Sequence, residues 1–146
     1  MRAVVQRVCS ASVTVDGGEV ARIGQGLLVL VGFSTHESKA SAIRMARRMI
    51  TLRVFDDKAG RLNRSLQDLH GQLLLIPQIT LTASLGKGTR PNFHTAAAPA
   101  TARELFEEFV RTVRTIYPDV VTGIFQASMI VSLENDGPVT FVLEEN

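Results

Sequence analysis

Residues 1–33 read "MRAVVQRVCSASVTVDGGEVARIGQGLLVLVGF", and three strands can be drawn from them. Over residues 1–15 the side chains alternate with period two, which is the signature of a strand with one buried face. The odd positions are Ala3, Val5, Arg7, Cys9, Ala11, Val13 and Val15. Asp16-Gly17-Gly18 supplies a hairpin turn into "EVARI", and Gly24-Gln25-Gly26 a second turn into the apolar "LLVLVGF". One charge, Arg7, interrupts the apolar face. A charge without partners is too costly to bury, so either the strand passes near an edge and Arg7 snorkels to water, or the guanidinium takes acceptors such as backbone carbonyls. Cys9 lies on the same face with no histidine nearby in sequence, and reads as core packing rather than as a nucleophile.

Downstream the period changes. From Ser38 to about Met49, Ala42, Ile43, Ala46, Met49 and Ile50 recur at helical spacing, with Arg44, Arg47 and Arg48 toward water. "LRVF" reads as a strand, "DDKAG" as a turn, and "GQLLLIPQITL" as a buried strand interrupted at Pro77. Residues 83–98 have no clear period and read as a long loop, which in a compact domain is more often functional than idle. Pro99 suits the first turn of a helix reaching about Tyr117, with Leu105, Phe106, Phe109, Val110, Val113 and Ile116 on one face and a Glu107–Arg111 pair outside. Pro118 ends it, and two or three strands close the chain. Asn135-Asp136-Gly137 reads as a tight turn, after which Pro138 weakens the start of the next strand. The expected architecture is α/β: a single β-rich domain over residues 1–146, its sheets mixed and antiparallel and partly barrel-like, with two main covering helices.

Composition narrows the function classes. At 146 residues and 45% hydrophobic content the chain can bury a real core without staples. The single cysteine forms no internal disulfide, and there is no signal-peptide pattern or 18-residue apolar span, so a cytoplasmic protein with no membrane association is expected. Thirteen of the sixteen basic residues are arginine, and residues 1–70 carry a net +5 against −3 for residues 71–146. Such a distribution permits a surface for nucleic acid without demanding one.

His36, His70 and His94 belong to no metal-ligand spacing, so no metal is expected. "GKGT" at 86–89 lacks the spacing of a phosphate loop. The segment "PQITLTA" is more informative: it places Gln78 and Thr80 on one side and Ile79 and Leu81 on the other, just beyond a buried strand. A hydroxyl, a carboxamide and adjacent unpaired backbone amides suit acyl transfer, where an oxyanion has to be stabilised. A capping or turn threonine fits the same residues.

Taken together, "MRAVVQRV", "GQGLLVLVGF", "LRVFDDKAGRLNRSL", "KGTRPNFHTAA" and "TGIFQASMIVSLENDGPVTFVL" resemble the D-aminoacyl-tRNA deacylase family, also called D-tyrosyl-tRNA deacylase, over essentially the whole chain. Two motifs carry the likeness, residues 77–81 and the intact Asn-x-Gly-Pro-Val-Thr at 135–140. The resemblance implies a homodimer without metal or cofactor that cleaves the ester between a D-amino acid, or glycine, and the 3′-terminal adenosine of tRNA. It implies that Gln78 and Thr80 border the ester, that the backbone amides around Ile79 and Thr80 act on its carbonyl, and that Phe125 and Met129 line an adenine pocket. It further implies that Gly137 and Pro138 form a Gly-cis-Pro unit, held by Arg7, which enters the partner's site and excludes L side chains. With no histidine or lysine placed to activate Thr80, assistance by the substrate's 2′-hydroxyl is the preferred route over a threonine nucleophile. Pro77 and Ile79 stand where the bacterial form usually has serine and phenylalanine, which admits a deacylase of relaxed chiral selectivity. A dimeric nucleic-acid-binding module without the reaction is the rival reading.

Overall fold

The computed structural model describes residues 1–145 except Leu85 and Lys87; two residues of the expected 83–98 loop, one of them the lysine of "GKGT", therefore lie outside the described residues. The opening meander is present as β1 (Arg2–Val15), β2 (Gly18–Ile23) and β3 (Gly26–Gly32). Asp16 and Gly17 both have positive φ, 50° and 78°, as a two-residue turn of primed type requires, and Val15 pairs with Gly18 across it. The small β4 (Phe55–Asp56) and β5 (Leu62–Arg64) form a separate hairpin. Of the strand expected at "LRVF", only Phe55 is in a strand, because Leu52 still caps the preceding helix and Val54 turns into the core.

Two parallel steps enlarge the main sheet. β6 (Gln72–Pro77) lies parallel to β3, and β7 (Val120–Thr122) parallel to β6. Parallel neighbours need crossovers, and these contain α1 (Lys39–Thr51), the short α2 (Leu66–Leu69) and α3 (Pro99–Ile116). Ser38 caps α1 through a reciprocal exchange with Ser41, and Pro99 opens α3. β8 (Met129–Glu144) runs antiparallel along the whole of β1. β2 curls back against β6 and β7, which rolls the sheet nearly into a barrel.

This arrangement makes two cores. Leu73 and Leu75 of β6 face α1 and α3, while Leu74 and Ile76 face the inside of the roll. Burial on both faces explains the unbroken apolar run of that strand. In β1, Ala3 and Val5 belong to the helix-side core, but Val8, Ala11 and Val13 belong to the interior of the roll. The change of phase comes from a bulge, since Val8 and Ser10 face consecutive residues of β8, Asn135 and Glu134. Cys9 is thereby turned out and exposed, contrary to the core position expected from strict alternation.

Three local expectations are corrected as well. Residues 135–137 do not reverse the chain. They begin an excursion within the single strand β8, whose ladder with β1 is interrupted between Asn135, opposite Val8, and Thr140, opposite Gln6. "ITLT" does not alternate as a strand; it is a one-turn 3-10 helix, Ile79–Thr82. Arg111 pairs with Glu108 rather than Glu107, its Nη2 lying 2.7 Å from Oε2.

Candidate active site

The 3-10 turn after β6 is held from three directions. The Gln78 amide donates to the Val31 carbonyl at 2.7 Å, the Arg2 guanidinium donates to the Leu81 carbonyl at 3.0 Å, and the Thr95 hydroxyl donates to the Thr82 carbonyl at 2.7 Å. Gly32 lets the turn lie this close: a Cβ there would stand 2.8 Å from the Gln78 carbonyl oxygen and 3.0 Å from the Leu81 Cβ. Gly32→Ala is therefore expected to destabilise the fold by about 1–3 kcal/mol and to lower hydrolysis well beyond the loss of folded protein. Thermal melts run beside single-turnover assays would read both.

Within the turn the Gln78 side-chain amide donates to the Thr80 hydroxyl oxygen at 2.5 Å. Thr80 is exposed, and among the described residues no histidine, lysine or carboxylate hydrogen-bonds to it. A helix leaves its first amides without internal partners, and among the described residues the amides of Ile79 and Thr80 have no hydrogen-bond acceptor. The turn thus presents two free N–H groups beside a carboxamide and a hydroxyl.

Gln78 and Ile79 also form one side of a cavity of about 400 Å³, whose other walls include Pro77, Pro99, Phe125, Gln126, Ala127 and Met129. A volume of this size suits a small organic ligand such as a nucleoside. Local chemistry positions its far wall. Gly123, where a Cβ would lie 2.8 Å from the Met129 sulfur, lets that side chain fold back to accept from the Ile124 amide at 3.4 Å. Gln126 adopts a left-handed φ of 62°. The Phe125 ring leans on Phe106 of α3, and the Arg103 guanidinium lies 5.0 Å from its centroid while donating to Gln126 Oε1 at 2.8 Å. Arg103 escapes sequence reasoning because it sits on the polar side of α3. Its reach to residues 125 and 126 exists only once α3 and the β7–β8 connection are packed together.

Arg7 does not snorkel. It is 6% exposed, and its Nε and Nη1 donate to the carbonyls of Asp136 and Val54, both at 2.8 Å, with the Asp136 and Asp56 carboxylates 3.4 and 3.5 Å away. The excursion of β8 is thus tied to the buried guanidinium. Asn135 closes it from inside, donating to the Val139 carbonyl and accepting from the Val139 amide at 2.7 Å. The Gly137–Pro138 bond is cis, as expected, and both residues are exposed. Neither belongs to the wall of the cavity in its own chain. The structure therefore groups Gln78, Ile79, Thr80, Phe125 and Met129 in one place, and Arg7, Gly137 and Pro138 in another.

The basic face of α1 is partly neutralised. Arg44 and Arg48 reach Glu145, at 3.1 and 3.2 Å, and the hydrogen bond from Arg44 holds the Glu145 carboxyl below the usual carboxylate range against the opposing effect of burial. Among the described residues no group of histidine, cysteine and carboxylate side chains is arranged to hold a metal, and no helix is long and apolar enough to cross a membrane.

Residues 4–144 match the family model described as D-Tyr-tRNA(Tyr) deacylase. The chain is 51% identical over 144 residues to the D-aminoacyl-tRNA deacylase of Pelobacter propionicus, covering 99% of each, and 48% identical to that of Ectopseudomonas mendocina with the same coverage. Among solved structures it is similar to the c-Myc DNA Unwinding Element Binding Protein, with 39% identity, a TM-score of 0.95 and coverage of 99% and 98%. A probable eukaryotic D-amino acid tRNA deacylase shares the fold, with a TM-score of 0.84 at 17% identity and 97% coverage of each chain. With a family model spanning nearly all of the sequence and relatives close to half identical along its length, the chain belongs to the D-Tyr-tRNA(Tyr) deacylase family.

Proposed function

We propose that the protein is an aminoacyl-tRNA editing hydrolase that cleaves the ester joining a D-amino acid, or glycine, to the 3′-terminal adenosine of tRNA. The observation that carries this reading is a nucleoside-sized cavity walled by Phe125 and Met129 and bounded by Gln78 and Ile79, whose carboxamide and free amide adjoin the Thr80 hydroxyl and amide in the same turn. Adenine lies against Phe125 and Met129, which sets the ester carbonyl over the turn. The Ile79 and Thr80 amides receive the charge that develops on the carbonyl oxygen as water attacks. The bond from the carbonyl carbon to the ribose oxygen then breaks, and that oxygen leaves protonated. The substrate's own 2′-hydroxyl assists the water, which fits a threonine to which no base hydrogen-bonds among the described residues.

Selection against L-aminoacyl esters falls to a second copy of the chain. The exposed Gly137-Pro138 unit enters the partner's cavity, and its carbonyls take the α-amino group and leave no room for an L side chain, while glycine passes. Support for a homodimer comes from β8, a 16-residue strand whose outer edge is unpaired among the described residues and which exposes Ile130 (69%), Val142 (60%) and Phe141. Long apolar edges of this kind are ordinarily covered.

The test is to incubate the protein with D-tyrosyl-, L-tyrosyl- and glycyl-tRNA and follow release of the amino acid. Hydrolysis of the D and glycyl esters with the L ester spared is expected. Cleavage of the L ester at a similar rate would assign the chain to a branch of relaxed chirality, with Pro77 and Ile79 as the residues to exchange. The name of the solved relative at 39% identity favours one further reading, a nucleic-acid-binding module. Binding of tRNA with no hydrolysis of any ester would establish that reading in place of ours.

A further inference from the structure

Arg103 stands at the cavity in a way that family membership does not account for. It projects from the second turn of α3, close behind Pro99, a wall residue, and spans to two more of them, Phe125 through its ring face and Gln126 through its carboxamide. What sets this arginine apart is where its contacts lie, since an exposed ion pair contributes little to stability. Among the described residues no carboxylate lies within salt-bridge distance of this one, although Glu104 and Glu107 share its helix. Its side chain is exposed, so the positive charge is open to solvent at the rim while two of its contacts are made with the wall itself. Among arginines that contact candidate site residues, Arg7 differs in this respect, being buried with its donors directed at carbonyls and two carboxylates close by.

A nucleoside entering this cavity at the end of a nucleic-acid chain brings an anion with it, the phosphodiester on its 5′-oxygen. That group has to remain at the rim, because the chain continues outward from it. A guanidinium matches a phosphate with two parallel N–H donors and can keep an aromatic contact on its flat face at the same time. We propose that Arg103 is a positioning residue that binds the phosphodiester of the terminal nucleotide while bracing Phe125 and Gln126, so that the nucleoside is registered against the catalytic turn. This rests on the assignment of the cavity to the terminal adenosine made above.

The substitution to use is Arg103→Met, which keeps the aliphatic stem and removes the charge, with Arg103→Lys as the conservative partner. With D-tyrosyl-tRNA the methionine variant is expected to raise KM about 10- to 100-fold, the value of one charge-assisted hydrogen-bond pair, with kcat much less affected. The salt dependence of kcat/KM should become shallower by about one phosphate contact, and lysine should restore most of both. A second substrate, 2′(3′)-O-D-tyrosyl-adenosine, has no phosphate, and the variant should handle it with a KM raised by less than about threefold. Equal losses on the two substrates, or an unchanged KM and salt slope on tRNA, would overturn the proposal, since a mere brace for Phe125 does not discriminate by phosphate. If the wild-type chain leaves D-tyrosyl-tRNA intact, the cavity assignment fails and this inference with it; wild-type activity beside an unaltered methionine variant defeats the inference alone.

Discussion

Arg7→Met is expected to cost about 2–5 kcal/mol of stability and to abolish most of the hydrolysis. The side chain fits the volume, so the loss is electrostatic. Two donors at 2.8 Å vanish from the carbonyls of Asp136 and Val54, in a place where the guanidinium itself is only 6% exposed. Each hydrogen bond from a charged donor is worth about 1.5–3 kcal/mol, and a buried acceptor left unpaired loses further. The Asp136 and Asp56 carboxylates are half exposed and can turn to water, which keeps the total near that range. For a chain of this length it corresponds to a melting temperature lower by about 5–15 °C. The effect on activity is larger in proportion. Without the guanidinium the excursion at residues 136–139 loses its charged anchor on β1, and a displacement of about 1 Å at a positioning group costs on the order of 100-fold. Calorimetry and single-turnover hydrolysis at a temperature where the variant is folded would check this. A core variant of similar melting temperature, such as Met49→Ala, serves as the control. A melting temperature within about 1 °C of wild type, or activity that falls only as far as the control's, would show that Arg7 does not hold the unit in its working position.

The second large effect belongs to the substrate. D-tyrosyl-tRNA whose terminal ribose lacks the 2′-hydroxyl should be cleaved about 100- to 10,000-fold more slowly by the wild-type chain, the range of a lost acid–base assistant. Thr80→Ala should fall by less than about tenfold. The Thr80 oxygen already accepts from Gln78 at 2.5 Å, and no base among the described residues is placed to take its proton, so it is poorly prepared to attack. The amides of Ile79 and Thr80 survive the alanine substitution, because they are backbone. A dead alanine variant together with an acyl-threonine trapped on the wild type would reverse the assignment and make Thr80 the nucleophile.

These two expectations show what kind of information each level holds. Local sequence determined the elements whose driving force is itself local. The first strand, the Asp16-Gly17 turn, the helix beginning near Ser38 and the one opened by Pro99 each need only neighbours within a few residues, and all lie where the local pattern put them. The apolar run at 73–76 likewise announces burial on both faces. Of the candidate residues, Gln78, Ile79, Thr80, Gly137 and Pro138 lie in the family motifs at 77–81 and 135–140, while Phe125 and Met129 were reached through the wider resemblance rather than from periodicity.

Tertiary structure decided whatever depends on a partner distant in the chain. Cys9 is turned outward because β1 bulges against a strand more than a hundred residues away, a register that no window of β1 contains. Arg7 could equally have reached water from its own strand; it is buried because Val54 and Asp136, from two other segments, bring carbonyls to it. Ile79–Thr82 alternates in sequence but coils into a single turn, since Val31 and Arg2 hold its ends and Gly32 yields the space. The cavity itself is made where the end of β6, the first turn of α3 and the β7–β8 connection meet, and Arg103 acquires its place there from the packing of one helix. Short-range steric and solvation preferences act within a turn or a pleat, so sequence displays them directly. A hydrogen-bond partner or a cavity wall supplied from across the fold is a property of distance in space, and only the packed chain contains it.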